Sequence, residues 1–190
     1  EFMEELFDRA ADLVSENDHS TGIFSLNRLF EDIHQMLLPN VRISERDLQL
    51  ILNLPEKTIW IGGRRLMFSR IILNLAANAI KFTQQGFVRM SCSVHVDVSE
   101  KRKIIKFSIS DTGVGMAPDD LDRIFEDFTI LPQDGLSYKS TGLGLGLVNR
   151  FVSELGGYIS IKSEVGVGTR FTCWLPLDVF DQPDEPKKAS

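Results

Sequence analysis

The stretch N-L-A-A-N-A-I-K-F-T, residues 74–83, lies inside the longest helical pattern of the chain, which we predict to cover residues 64–82. Asn74, Asn78 and Lys81 are spaced so that all three side chains project from one face of this helix. Amide oxygens are suitable ligands for Mg²⁺, and a lysine can meet a phosphate as a point charge. We therefore expect a face that binds magnesium and phosphate. The alternative is a solvated polar face.

Two glycine-rich segments accompany this helix. The segment D-T-G-V-G-M, residues 111–116, follows a predicted strand, where its carboxylate can accept a hydrogen bond from the exocyclic amine of a flat ligand such as adenine. The segment T-G-L-G-L-G-L, residues 141–147, precedes a helix, and its exposed N–H groups suit an anion. It matches neither the Walker A sequence nor the dinucleotide fingerprint. Taken alone, the first segment is equally typical of an ordinary turn. The second is equally typical of a joint where glycines let a helix pack closely.

The remaining patterns predict an alternation of helices and strands. They comprise a helix at 4–14, a linker at 15–22, a helix opened by Ser25 and stopped by Pro39-Asn40, strands at 48–54, 87–98 and 104–110, a helix at 143–155, strands at 158–163 and 169–175, and a disordered tail from Asp178. We expect the strands at 87–98 and 104–110 to be antiparallel neighbours. This order predicts an α/β two-layer sandwich, in which helices cover one face of a mixed, mostly antiparallel sheet.

Four sequence blocks, in order and spacing, resemble the histidine-kinase branch of the GHKL ATP-binding superfamily. The blocks similar to its N box, first glycine box, F box and second glycine box are residues 74–83, 111–116, I-F-E-D-F at 124–128, and 141–147. The ending at 156–177 is similar to the closing hairpin of the family. The resemblance covers about residues 24–177 and is specific because the blocks occur together and in order.

The resemblance implies the Bergerat fold, with ATP bound between the N-box helix and a mobile lid. It implies that Asn78 binds Mg²⁺ with help from Asn74, and that Lys81 meets a phosphate; these three residues are the expected catalytic set. Asp111 is expected to read the adenine amino group. The other expected nucleotide-binding or lid residues are Gly113, Gly115, Phe125, Phe128, Lys139, Thr141, Gly142, Leu143, Gly144 and Thr169.

The sequence departs from the family pattern in the lid and in its histidines. Lys139 is the only basic residue between the F box and the second glycine box, where many family members carry a cation for the γ-phosphate. Asp127 replaces the common proline of the F box. The family's phosphoacceptor histidine stands in an H-E/D-x-R/K motif, and none of His19, His34 and His95 does. We therefore expect no phosphoacceptor within this chain.

The composition of the chain restricts which other classes of protein it could belong to. The chain has 190 residues, 43% of them hydrophobic, and a formal net charge of −6, which gives no reason to expect nucleic-acid binding. No apolar run approaches the ~20 residues of a membrane helix, so we expect a cytoplasmic domain without membrane contact, whether or not the full-length enzyme is anchored. Cys92 and Cys173 have no neighbours at metal-ligand spacing, and we expect both to be core fillers.

These expectations combine into one hypothesis about domains and function. Residues 1–22 would be the remnant of a dimerisation and phosphoacceptor helix with its linker, 23–178 the ATP-binding catalytic domain of a sensor histidine kinase, and 179–190 a disordered tail. The domain would transfer the γ-phosphate of ATP to a histidine on a separate dimerisation domain, for relay to a response regulator receiver domain. Asn74 stands where ATP hydrolases of the superfamily carry a catalytic glutamate, which favours a kinase. A degenerate nucleotide-binding or docking module and an anti-sigma-type serine kinase are the alternatives.

Overall fold

A computed structural model describes residues 22–43, 46–97, 102–121, 123–125 and 144–180. Several sequence predictions therefore lie outside the described residues. They are the helix at 4–14, most of the linker at 15–22, the positions of His19, Asp127, Phe128, Lys139, Thr141, Gly142 and Leu143, and most of the tail.

The described residues form four helices and eight strands. The helices are α1 (Leu26–Ile43), α2 (Arg65–Phe82), α3 (Pro118–Leu121) and α4 (Gly144–Glu154). The strands are β1 (Gly22–Ser25), β2 (Leu48–Asn53), β3 (Trp60–Gly63), β4 (Gly86–Asp97), β5 (Arg102–Asp111), β6 (Tyr158–Glu164), β7 (Gly168–Leu175) and β8 (Val179–Phe180).

The larger sheet has five strands in the order β2-β4-β5-β7-β6. Strands β2 and β4 are parallel, and the other neighbours are antiparallel. Ile105, Phe107 and Ile109 alternate along β5 toward one face, and all three are fully buried. The ring of Phe30 from α1 lies edge-on to Phe107, with 5.9 Å between centroids. The predicted α/β sandwich, with a mostly antiparallel sheet and helices on one face, is confirmed.

Helix α1 begins as predicted but ends later. The backbone N–H of Arg28 donates to Ser25 Oγ at 3.1 Å, which is the expected N-terminal cap. The prediction that Pro39 stops the helix is wrong, because α1 continues to Ile43. Leu37 and Val41 are four residues apart and both buried, so packing of the last turn against the core offsets the hydrogen bond that the proline cannot make.

Helix α2 passes through the middle of the core, and most of its residues are buried. Its carboxyl end is held by two side chains. Arg46 Nη1 donates to the carbonyl oxygens of Ile80 and Thr83 at 2.9 and 3.0 Å, and Thr83 Oγ1 donates to Ala79 O at 2.6 Å. These bonds satisfy carbonyls that a helix end leaves unpaired, and they fix the position of the segment that follows.

A second sheet of three strands, in the order β1-β3-β8, was not predicted. Gly22 pairs with Gly63, which moves Gly22 from the predicted linker into a strand. Val179 pairs with Ile61, a fully buried residue, so the predicted disordered tail begins too early. Burial of the Ile61 side chain, together with strand pairing on both sides of β3, accounts for these two shifted boundaries.

Candidate nucleotide-binding site

The start of α4 packs against the asparagine face of α2. Asn74 is buried, at 1% exposure, and its Nδ2 donates to the carbonyl of Arg70 at 2.8 Å. A Cβ atom at Gly144 would lie 2.8 Å from Asn74 Oδ1 and 4.0 Å from Asn78 Nδ2. Asn78 is partly exposed. The structure therefore brings Asn74, Asn78 and Gly144 together, and the spacing of the two asparagines along one helical face is confirmed.

Lys81 lies one turn further along α2, next to Phe82. Its Nζ is 5.0 Å from the centroid of the Phe82 ring, a distance at which the ring face attracts a cation. Burial lowers the pKa of the Lys81 ammonium, because the partly desolvated charged form is disfavoured. An anion placed near Lys81 would favour the charged form.

Asp111 ends β5, and its carboxylate is fixed by two backbone donors. Oδ1 accepts from the N–H of Gly113 at 2.9 Å and from the N–H of Thr169 at 3.3 Å. Burial raises the pKa of this carboxyl, and the hydrogen bonds from Gly113 and Thr169 oppose the rise. The structure thus places Asp111, Gly113 and Thr169 in direct contact, although Thr169 is far along the chain.

The first glycine-rich segment runs between the end of α2 and the hairpin of β6 and β7. The N–H of Val114 donates to Phe82 O at 3.3 Å, and Val114 O accepts from the N–H of Gly166 at 2.8 Å. Gly115 has a φ of 67°, and a Cβ there would overlap the carbonyl of Glu164. A glycine is required at position 115 because both the backbone conformation and the close approach exclude a side chain.

Sequence reasoning missed two residues that hold this segment in place. Thr112 Oγ1 accepts from the N–H of Phe87 at 2.9 Å and donates to Gln85 O at 3.1 Å. Ser163 Oγ accepts from the N–H of Met116 at 2.9 Å and lies 2.8 Å from Thr169 Oγ1. Thr112 could have been found from the sequence, because it directly follows Asp111 in the first glycine-rich segment. Ser163 carried no local signal, because its contact with Met116 joins residues 47 positions apart.

Some of the other residues predicted for the site lie in the described part of the chain, and some lie outside it. Phe125 is partly buried and packs against the main core beside Ile124, which is 3% exposed. His34 and His95 lie on α1 and β4, as the sequence predicted. Of the residues expected to bind an anion in the second glycine-rich segment, Gly144 is described, whereas Thr141, Gly142 and Leu143 lie outside the described residues.

With this geometry established, comparison with known proteins identifies the class. A family model described as "Histidine kinase-, DNA gyrase B-, and HSP90-like ATPase" matches residues 63–179. The chain belongs to this family.

Its relatives narrow the class further. The chain is 34% identical over 168 residues to the circadian input-output histidine kinase CikA of Synechococcus elongatus, across 87% of the chain and 22% of CikA. It is 34% identical over 160 residues to the sensor histidine kinase AruS of Pseudomonas aeruginosa, across 82% of the chain and 15% of AruS. The chain therefore spans about a fifth of the length of CikA and less than a fifth of the length of AruS.

A solved structure gives the same result. The crystal structure of full-length ShkA in complex with AMPPNP matches with a TM-score of 0.68 and 27% identity, across 95% of this chain and 35% of ShkA. The predicted class, an ATP-binding domain of the sensor histidine kinase type, is confirmed. None of the helices in the described residues has the length and apolar character needed to cross a membrane.

Proposed function

We propose that this chain is the catalytic half of a protein-histidine kinase, which binds ATP with Mg²⁺ and passes the γ-phosphate to a histidine on a separate dimerisation domain. One arrangement carries the proposal. The asparagine face of α2 lies against Gly144 at the start of α4, and the fixed carboxylate of Asp111 is connected to the end of α2 through the glycine-rich segment.

Asp111 is the proposed reader of the adenine base. Its Oδ1 already accepts two backbone hydrogen bonds, which leaves Oδ2 as the acceptor for the exocyclic amino group. Gly113 and Gly115 let the backbone of this segment pass close to the carbonyls of Phe82 and Glu164, which keeps the segment next to Asp111. A donor that arrives at Oδ2 stabilises the charged carboxylate, whose pKa is raised by burial.

Asn78 is the proposed ligand for Mg²⁺, since it is the partly exposed member of the asparagine pair and offers an amide oxygen. Asn74 is buried and its Nδ2 is bound to Arg70 O, so we assign it the task of positioning Gly144 beside Asn78. Mg²⁺, when bound, neutralises phosphate charge. Lys81 is the proposed contact to a phosphate, and Gly144 would contribute its N–H together with Thr141, Gly142 and Leu143.

A histidine from another domain is the proposed nucleophile. Position 74 carries a buried amide where a hydrolase would need a carboxylate to activate water. His34 Nε2 lies 3.1 Å from the carbonyl oxygen of Leu50, and His95 Nε2 lies 3.1 Å from Ser93 Oγ. Both imidazoles thus have structural partners. Phosphoryl transfer here would depend on positioning and charge stabilisation, with the acceptor supplied from outside.

The relatives are multidomain histidine kinases, which supports a dimerisation domain as the immediate partner and a response regulator receiver domain further along the relay. Lys139 is the proposed contact to the γ-phosphate from the lid. Phe125 and Phe128 would pack the lid down. Thr169 would lie beside the adenine, through its contact with Asp111.

The test mixes the chain, radiolabelled ATP and Mg²⁺, with and without the dimerisation hairpin of its own full-length enzyme. We expect acid-labile label on the hairpin, no label on the chain alone and little free phosphate. Acid-stable label on a serine would favour the serine kinase, and rapid release of phosphate would favour a hydrolase. Either result contradicts the proposal, as does the absence of ATP binding in calorimetry, which would favour the degenerate module.

Asn78→Ala tests the metal role directly. We expect it to abolish the gain in ATP affinity that Mg²⁺ gives, because an oxygen ligand is lost. Asn53→Ala is the matched control, since Asn53 is an exposed residue at the end of β2, away from α2. If Asn78→Ala and Asn53→Ala both retain the full magnesium effect, Asn78 does not hold the metal.

A further inference from the structure

The five-stranded sheet has a second face, opposite the helices, and we call this the outer face. Because side chains alternate along a strand, the outer face carries the residues that lie between the buried ones. Strand register aligns them in rows across β4, β5, β7 and β6. The three successive rows are Arg89, Ser110, Arg170 and Lys162; then Ser91, Ser108, Thr172 and Ser160; then Ser93, Lys106, Trp174 and Tyr158.

The first row concentrates positive charge. Lys162 and Arg170 are directly opposite each other on β6 and β7, and both are exposed. Like charges at this position destabilise a strand pair. Neither residue has an ion-pair partner among the described residues. The sheet therefore keeps an unfavourable pair that an anionic partner would stabilise.

Arg89 extends the row on the other side of Ser110. Its guanidinium carbon lies 4.5 Å from the centroid of the Phe87 ring, which fixes the direction of the side chain. In the described part of the chain, Arg89 Nε is the only buried side-chain nitrogen or oxygen without a hydrogen-bond partner. Of the described side chains on this face, four are basic and Glu164 alone is acidic, although the whole chain carries a net charge of −6.

The third row adds aromatic surface next to a cation. Tyr158 stacks on Trp174 with 6.1 Å between ring centroids, and Lys106 Nζ lies 4.7 Å from the Trp174 centroid. Tyr158 is 60% exposed. Tyrosine, tryptophan and arginine are the residue types that contribute most to protein interfaces. The outer face thus combines a row of cations with a stacked aromatic pair.

A cavity of about 380 Å³ opens at the hairpin end of the outer face. Its lining includes Lys162, Glu164 and Arg170 together with Asp111 and Thr169 of the candidate nucleotide site, and it includes no residue of α2. It therefore adjoins the adenine part of the proposed nucleotide site and is separate only from the asparagine face of α2. The cavity gives a partner's side chain a place to enter beside Lys162 and Arg170.

We propose that the outer face is a docking surface for an acidic polypeptide segment, whose carboxylates pair with Arg89, Arg170 and Lys162. Three strand spacings separate Arg89 from Lys162, roughly 14 Å, which is too wide for one small anion. A nucleic acid requires a basic surface over many phosphates, and the net charge of −6 opposes it. A short cluster of carboxylates matches the row. The proposal rests on these three cations, to which the proposed function assigns no role in nucleotide binding.

The test uses the fluorescence of Trp174. The chain has two tryptophans, so Trp60→Phe leaves Trp174 as the sole reporter, at the centre of the third row. A short polyglutamate peptide is titrated at low and high salt. We expect saturable binding that weakens with salt and falls roughly tenfold or more in the double variant Lys162→Glu and Arg170→Glu, as charge reversal opposes association.

The matched control is Arg42→Glu with Lys57→Glu, which makes the same change in net charge at two exposed residues outside the outer face. We expect it to bind polyglutamate nearly as well as the parent. Equal losses in both double variants would overturn the proposal, since binding would then follow net charge alone. An absence of polyglutamate binding, or tighter binding of oligothymidylate, would also overturn it.

A second variant separates binding from folding. Lys162→Gln with Arg170→Gln removes the like-charged pair without adding charge, so we expect its melting temperature to equal or exceed that of the parent. Its affinity for polyglutamate should nevertheless fall. Retained affinity in this stable variant would contradict the assigned role of the two cations.

Discussion

The backbone of Gly144 lies so close to the side chain of Asn74 that a Cβ atom at Gly144 would be 2.8 Å from Asn74 Oδ1. Asn74 is held by its bond to Arg70 O, so it cannot turn away without losing that hydrogen bond. The joint between α2 and α4 therefore depends on the absence of a side chain at position 144. Because Asn78 is the next residue on this face, the same joint sets the distance from α4 to the proposed metal ligand.

Gly144→Ala should lower the free energy of unfolding by about 1–2 kcal/mol, because the extra methyl group overpacks the joint. It should also weaken ATP binding. In an Asn74→Ala background the same change should become neutral or stabilising, since alanine favours a helix by roughly 1 kcal/mol over glycine. Urea unfolding of the four combinations measures the coupling.

Gly22→Ala is the control for this cycle, because no heavy atom lies within 4 Å of a Cβ placed there. If Gly144→Ala lowers the stability by the same amount in the Asn74→Ala background, the Asn74 side chain is not what the added methyl group collides with.

Asp111→Asn should stabilise the nucleotide-free domain at neutral pH. Burial raises the pKa of Asp111, so the ionised carboxylate is less favourable in the folded chain than in the unfolded chain. The stability that this group contributes is present below its unfolded pKa and is lost as the pH rises through its folded pKa. The variant's advantage in melting temperature should therefore shrink as the pH is lowered.

The same variant should bind ATP more weakly, and the loss should be larger for ATP than for tripolyphosphate, which has no base. An advantage in stability that is independent of pH would contradict the role of the buried charge. Equal losses for both ligands would place Asp111 away from the adenine.

Cys92 and Cys173 should resist thiol reagents in the folded domain. Both are free and buried, as predicted, and both pair with Phe107 across neighbouring strands. Burial raises the pKa of the Cys92 thiol to about 12 and raises the pKa of Cys173 further above its usual range. Thiolate is the reactive form, so labelling at pH 8 should be slow and should accelerate with urea.

Single variants Cys92→Ala and Cys173→Ala assign the two rates. We expect both thiols to become reactive together, in the main unfolding transition. Rapid labelling of either thiol without denaturant would show that the sheet opens locally around Phe107.

Pro39→Ala should stabilise the domain by up to about 3 kcal/mol, because a proline within a helix removes a hydrogen bond and crowds the preceding turn. Pro39 is exposed, so its replacement leaves no cavity in the core. Gln35→Ala, an exposed change one turn earlier, should have a much smaller effect on urea unfolding. Similar results for the two variants would mean that α1 accommodates Pro39 without cost.

The parts of the fold that were predicted from sequence are those with strong local patterns. Helix α2 shows a helical repeat over its whole length, and β4 and β5 alternate apolar and polar residues around a charged connection. The three-stranded sheet was missed because its strands are short and pair residues far apart, such as Ile61 with Val179. The extension of α1 beyond Pro39 was missed because burial of Val41 outweighs a local stop signal.

The candidate site shows the same division. The spacing of Asn74 and Asn78 predicted a shared helical face, and the structure has it. That Asn74 is buried while Asn78 is partly exposed depends on where α4 packs, which no local pattern reports. The contact between Asp111 and Thr169 likewise forms through pairing of β5 with β7, so the resemblance suggested both residues without giving their contact.

Asp111 uses its two oxygens differently. Oδ1 is committed to the backbone of Gly113 and Thr169, and Oδ2 receives no hydrogen bond from the described residues. An asparagine that keeps Oδ1 in place would present an amide donor where the carboxylate presented an acceptor. Under the proposed function, one atom then selects between a purine with an amino group and a purine with a carbonyl group. Asp111→Asn should therefore prefer inosine triphosphate to ATP, which would make the variant an orthogonal enzyme, addressable by a nucleotide that the parent domain binds poorly.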